Sequence, residues 1–160
     1  MSFRVYVLGR RKAEIARREI AEFIHEGCFF DAPGFEPDPR SAEAAELGWT
    51  RFDIFERSGS TPFTLHSEEG HRVANIIDVV AGTFDERGLA LPSTVSAHLE
   101  ATRHVYVVEL DRGGGISEDG WAMLSSVEVF LAKRCAGIIF SSEDGVYDAE
   151  LRRVVDFRAE

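Results

Sequence analysis

The segment His104-Val105-Tyr106-Val107-Val108-Glu109-Leu110 constrains the fold more tightly than any other. It is rich in β-branched and aromatic residues and reads as a strand. Its apolar residues are consecutive rather than alternating, which predicts burial on both faces and a central place in a sheet. A second strand, Phe3-Arg4-Val5-Tyr6-Val7-Leu8, stops at Gly9, and its Val5-Tyr6-Val7 recurs as Val105-Tyr106-Val107. Each strand feeds a helix. After the first, Ala16, Ile20, Phe23, Ile24 and Gly27 fall on one face. After the second, Ser117 is the N-cap of a helix carrying Trp121, Leu124, Val127, Phe130 and Leu131. Both helices place a phenylalanine five residues before a cysteine, Phe23 before Cys28 and Phe130 before Cys135.

Between them, Arg51 to Glu56 and Pro62 to His66 predict a hairpin through Ser58-Gly59-Ser60. Ser67 reads as the next N-cap, with Glu68 and Glu69 in the first turn of a helix carrying Val73, Ile76, Ile77, Val80, Ala81 and Phe84. Ser93 to Ala101 predicts a shorter helix. Strands at Gly137 to Phe140 and Val146-Tyr147 flank the hairpin signal Asp144-Gly145, and Val154 to Phe157 adds a last short strand. Pro33, Pro37 and Pro39 forbid a helix or central strand over 33–39, and Ser41 to Leu47 predicts a helical turn. The order βαββα(α)βαββ predicts an α+β fold with a mixed, mainly antiparallel sheet and helices packed chiefly on one face. Residues 1–160 are expected to form a single domain, with 1–85 and 102–157 as two pseudo-repeated βαββ halves.

Charge narrows the function classes. Against 18 Lys and Arg stand 28 Asp and Glu, a formal charge of −10. That sign argues against nucleic acid as a partner, since such binding comes largely from neutralised phosphates. Residues 1–25 hold six basic and three acidic side chains, so the local charge is +3 and the remainder carries −13. Pairs at i,i+4 (Arg10–Glu14, Glu14–Arg18, Arg18–Glu22) are expected along the first helix. No apolar run is long enough to span a membrane, and the N-terminus passes straight into a strand without a signal peptide's apolar core. A cytoplasmic protein with reduced Cys28 and Cys135 is expected, each a small buried hydrophobe at a helix end.

Four segments carry candidate chemistry. His66-Ser67-Glu68-Glu69-Gly70-His71 holds two imidazoles and two carboxylates. Zinc favours His-x3-His on one helix face; the spacing here, and that of His98 and His104, misses it, so neither metal nor cofactor is expected. His25 precedes Cys28, but a helix C-terminus raises a thiol's pKa, which disfavours a nucleophile. Arg112-Gly113-Gly114-Gly115 resembles a phosphate loop, yet Glu118 and Asp119 would repel an anion there. A ligand cleft near His66–His71 and Arg112–Ser117, using His66, Glu68, Glu69, His71 and Arg112, requires convergence with the second half at Arg112 or Glu109. The 29–49 stretch sets Phe29, Phe30, Phe35 and Trp49 among Glu36, Asp38, Glu43 and Glu46, in the manner of interface anchors and rim. Large aromatics more often turn inward, which would instead pin this loop.

The C-terminal third, from Gly120-Trp121 through Leu131-Ala132-Lys133-Arg134, then Gly137-Ile138-Ile139-Phe140 and Asp144-Gly145-Val146-Tyr147-Asp148, resembles the ending of small uncharacterised bacterial α+β proteins. These include cytosolic immunity proteins that neutralise secreted toxins. The resemblance implies inhibition by tight binding, with no catalytic residues, and the acidic balance suits a basic toxin such as a nuclease. A non-enzymatic domain docking a basic protein is therefore the leading expectation. The alternative is a small enzyme or ligand-binding domain using the His66–His71 cleft, and a homodimer paired through sheet edges is a third arrangement.

Overall fold

The computed structural model describes residues 2–111 and 116–158, so Arg112 and the glycines that follow it lie outside the described residues. In chain order the elements are β1 (Ser2–Gly9), α1 (Arg17–Glu26), β2 (Gly34–Glu36), a 3-10 turn at Glu43–Ala45, β3 (Arg51–Phe55), β4 (Phe63–Glu68), α2 (His71–Glu86), α3 (Ser93–Ala101), β5 (His104–Asp111), α4 (Glu118–Cys135), β6 (Gly137–Ser141), β7 (Gly145–Tyr147) and β8 (Arg153–Asp156). The fold is α+β. Its eight strands form one open sheet in the order β2-β3-β4-β5-β1-β6-β7-β8. Every ladder is antiparallel, where a mixed sheet was expected. The expected strand count also falls short at β2, which sits within the proline-rich loop as the short edge strand that prolines permit.

Alternation along the two central strands builds two cores. Val5 and Val7 of β1, with Tyr106, Val108 and Leu110 of β5, face Ile20 and Ile24 of α1 and Met123, Val127 and Leu131 of α4. Tyr6 and Leu8, with Val105 and Val107, face Val73, Val80 and Phe84 of α2 and Val95 and Leu99 of α3. Helices therefore cover both faces, which corrects the one-sided packing. The physical reason is the uninterrupted apolar run of β5, whose every side chain needs a layer to bury against. Among the described residues no helix is long and apolar enough to cross a membrane.

The two halves are wired differently. Strands β5 and β6 are joined by α4 and both pair antiparallel with β1 lying between them, a split β-α-β unit. After α1 the chain enters at the sheet edge and works inward through β2, β3 and β4. After α4 it enters beside β1 and works outward through β6, β7 and β8. The shared Val-Tyr-Val strands and their helices thus precede tails of opposite direction, so the wiring does not support a repeat of whole halves.

Arg10, Arg17 and Arg18 serve main chain rather than helix neighbours. Helix α1 begins only at Arg17, and among the described residues Arg10 and Arg18 donate to main-chain carbonyls in place of the expected i,i+4 carboxylates. Arg17 is 6% exposed and donates to the carbonyls of Arg51 (2.9 Å) and Glu43 (3.0 Å), with its guanidinium over the Trp49 ring. Arg18 donates to the carbonyls of Pro39 and Ser41 at 2.7 and 2.8 Å. A proline-rich loop has few ladder partners for its carbonyls, and planar guanidinium forks supply them. Trp49 completes the anchorage by donating from its indole Nε1 to the carbonyl of Ile15 at 2.7 Å.

The β4–α2 junction also differs from expectation. Ser67 and Glu68 remain in the strand, opposite Tyr106 and Val105, and the helix starts after Gly70, whose φ of +67° an L side chain rarely adopts. Ser117 caps α4 as predicted, its Oγ accepting from the Gly120 N–H at 3.0 Å. Within α4, Glu128 is buried, and desolvation followed by the nearby Asp144 charge pushes its pKa up to about 8.

Arg17→Lys is expected to lower stability by about 1–3 kcal/mol in chemical denaturation, because one ammonium cannot satisfy both carbonyls in the same geometry. Glu128→Gln is expected to change the pH dependence of unfolding. Burial raises the Glu128 pKa above that of the unfolded chain, so its favourable contribution is complete below about 4.5 and is lost as pH rises through about 8. The wild type should lose a few kcal/mol relative to Glu128→Gln across that window, at about 1.4 kcal/mol per pKa unit at most.

Candidate functional site

Strand register lines up one polar row across five strands. Glu36 of β2 lies opposite Asp53 of β3, Asp53 opposite Thr64 of β4, Thr64 opposite Glu109 of β5, and Glu109 opposite Arg4 of β1. Directly paired residues point to the same side, so all five share the face that carries Tyr6 and Leu8. A second row on that face runs Arg51, His66, Val107, Tyr6. Helices α2 and α3 cover the other half of this face. Among the described residues, none of β2, β3 or β4 joins their apolar cluster. The result is a half-sheet outside that apolar helical cover, with Glu36 and Arg51 exposed, Asp53, His66 and Glu109 part-buried and Thr64 buried, and with α2 as its wall.

Along that wall lies a groove of about 640 Å³. Its sheet side is Arg4, Tyr6, His66, Glu68, Val107 and Glu109, and its helix side includes His71, Arg72, Asn75, Ile76 and Val79. Glu109 is the hub. Its Oε2 accepts from Arg4 Nε at 2.6 Å and its Oε1 lies 3.6 Å from His66 Nε2. The Arg4 hydrogen bond holds the Glu109 carboxyl below the usual carboxylate range, and Glu109 in turn raises Arg4. Glu68, the last residue of β4, accepts from Arg72 in the first turn of α2 at 3.3 and 3.4 Å. Further out, Asp53 accepts from Thr64 Oγ1 at 2.7 Å and pairs with Arg51. This is an array of exchangeable ion pairs over a partly apolar floor. Among the described residues no group of three or more His, Cys, Asp or Glu is placed to hold a metal ion.

The sequence-predicted residues distribute unevenly over this site. His66, Glu68 and His71 line the same groove as Glu109, and of the three His66 lies 3.6 Å from it. Glu69 is not among them, since it pairs with Lys12 at 3.5 Å, and Arg112 lies outside the described residues. In the 29–49 loop, the aromatics turn inward and the acids outward. Trp49, expected among the interface anchors, is instead a core residue at 6% exposure because its indole N–H finds a buried carbonyl. Phe29, Phe30 and Phe35 are half-buried against the α1–α4 core, with Phe35 stacked on Phe52 and Phe30 on Phe63. Glu36, Asp38, Glu43 and Glu46 are exposed. Asp38 is held low by its hydrogen bonds from Arg40, and Glu43 approaches Arg17 at 3.9 Å. Arg4, Tyr6, Arg51 and Asp53 were missed. Their signal was the alternation of polar side chains along β1 and β3, readable only once the open face is known.

The nucleophile candidates are engaged structurally. His104 Nδ1 accepts from the Ala13 N–H at 3.2 Å, so the neutral ring carries its proton on Nε2 and donates it to Ser67 Oγ at 2.7 Å. Burial lowers the His104 pKa, keeping the ring neutral, and in this tautomer it cannot take a proton from Ser67. His98 donates from Nε2 to the Leu8 carbonyl at 2.7 Å. Cys135 is fully buried, and desolvation pushes its thiol up to about 12. Cys28, expected to be buried, is exposed beyond the Gly27 cap of α1 and turns its thiol toward the Glu26 carbonyl.

Replacing Cys28 and Cys135 together by Ala is expected to cost about 1–2 kcal/mol of stability, from lost packing at Cys135. Binding per folded molecule should be unchanged; its loss would revive a thiol role. In comparison with known proteins, no family model, no curated protein and no solved structure matched the chain.

Proposed function

We propose that the protein is a non-enzymatic, cytoplasmic protein-binding domain, an immunity-type inhibitor that docks a basic protein. The observation that carries this reading is the polar row from Glu36 to Arg4. It joins the acidic side of the 29–49 loop to the open half-sheet in one surface. Five strands at their usual spacing make that row about 19 Å wide, a width suited to a macromolecular face rather than an enclosed metabolite. Preorganisation supports the same reading. Arg17, Arg18 and Trp49 hold the loop before any partner arrives, so little ordering entropy remains to be lost on binding. The formal charge of −10 adds long-range attraction for a basic surface. The resemblance of the C-terminal third to toxin-immunity proteins points the same way.

A second reading, a ligand-binding domain or small enzyme, is favoured by one observation. His66, Glu109 and Arg4 meet beside a groove of about 640 Å³. It requires saturable binding of a small polar solute that His66→Ala abolishes.

Two of the loop acids make the cleaner test. Asp38 and Glu43 are tied to Arg40 and Arg17, whereas Glu36 and Glu46 are exposed without an ion pair among the described residues. With a partner isolated on the immobilised protein, changing Glu36 and Glu46 to Lys should slow association about tenfold at low salt and flatten its salt dependence. An association rate unchanged at every ionic strength would count against this surface.

A further inference from the structure

We infer that the groove between α2 and the sheet seats an arginine-bearing segment of the basic partner, exchanging its guanidinium groups for those of Arg4 and Arg72. This inference rests on the protein-binding reading above and adds the chemistry that the groove selects. The argument begins with which charges are inside. The side chains of Glu109 and Glu68 are 28% and 15% exposed, whereas their partners Arg4 and Arg72 are 54% and 66% exposed. The carboxylates are therefore built into the floor, and the chain's own arginines reach them from the rim. Such exposed pairs contribute little stability and exchange readily.

Charge and shape then select the occupant. Glu68 stands four residues along β4 from Thr64, which is opposite Glu109, so the two acids lie about 13 Å apart along the strand direction. His66 lies between them on the same face. Val107 and Ile76 supply an apolar bed between the acids. Arginine combines an apolar stem with a planar fork that matches a carboxylate, and both parts have a counterpart here. A phosphate or carboxylate ligand that engaged the exposed Arg4 and Arg72 would draw them from Glu109 and Glu68 and leave two part-buried carboxylates unpaired.

The probe is a hexa-arginine peptide titrated into the isotopically labelled full chain and followed by NMR. Saturable shifts concentrated at Tyr6, His66 and Val107 are expected, with affinity reduced at least fivefold in the double variant Glu68→Gln, Glu109→Gln. Removing the resident arginines, Arg4→Ala with Arg72→Ala, should raise affinity severalfold. The control Arg152→Ala with Arg153→Ala makes the same charge change beyond the groove and should raise it less. Shifts centred on Glu36 to Glu46, diffuse shifts without saturation, or equal gains from both arginine pairs would overturn the groove assignment. Those results would leave the protein-binding reading to its own association test, which does not involve Glu68 or Glu109. Dispersed amide spectra of each variant establish that it remains folded.

Discussion

The antiparallel ladder between β1 and β5 is the constraint on which the remaining structure depends. It runs for eight residue pairs, from Ser2 opposite Asp111 to Gly9 opposite His104. Because side chains alternate, this single register sends Val5, Val7, Tyr106 and Val108 to one core and Tyr6, Leu8, Val105 and Val107 to the other. A slip of β1 by one residue would turn Tyr6 and Leu8 toward the α1–α4 core, with Arg4 stranded beside them. The same register sets Arg4 opposite Glu109. The contact at the heart of the groove is thus a by-product of the pairing that builds both cores.

Around that ladder the protein manages its polar groups by two devices. Guanidinium groups satisfy main-chain carbonyls at several places where the backbone leaves regular structure: Arg17 and Arg18 at the proline loop, Arg10 at Ala136, Arg87 at Ser142. Sheet edges are made poor templates. Strand β2 is three residues long and lies between Pro33 and Pro37, while β8 carries a register irregularity and charges at Arg153 and Asp156. Short, proline-flanked, bulged and charged edges discourage strand addition, so these edges offer little to a dimer built by sheet pairing. The surface proposed for a partner is the half-face of β2, β3 and β4.

Much of this was legible in the chain. Periodicity located the four helices and the hairpins, and the Asp144-Gly145 signal fell on a turn where a Cβ would run into the Val155 carbonyl. The unbroken run in β5 already implied cover on both sides, although the element order alone suggested helices on one. Other features depend on contacts remote in sequence. Ser67 looked like an N-cap because Ser-Glu-Glu fits a first helical turn. Pairing with Tyr106, a bond from its N–H to the Thr50 carbonyl and the hydroxyl contact with His104 keep it in the strand. The arginines of α1 looked like partners for neighbouring glutamates until the proline loop arrived with unsatisfied carbonyls. Of the site, the His66, Glu68 and His71 cluster was visible in sequence. The row linking Glu36 to Arg4 spans positions 4 to 109 and exists only through four successive registers.

The two surfaces suggested by sequence, an acidic loop and a histidine–carboxylate cleft, thereby meet on one face, with Glu36 at one end and the groove at the other. Hydrogen–deuterium exchange of the full chain, alone and bound to its isolated partner, reads that face directly. The account predicts slowed exchange confined to 34–46, 51–55, 63–68, the groove residues of β1 and β5 (4–6 and 107–109) and the first turns of α2, with α1 and α4 unchanged. Protection that appears instead on the α1–α4 side, with β3 and β4 exchanging as in the unbound protein, would contradict it.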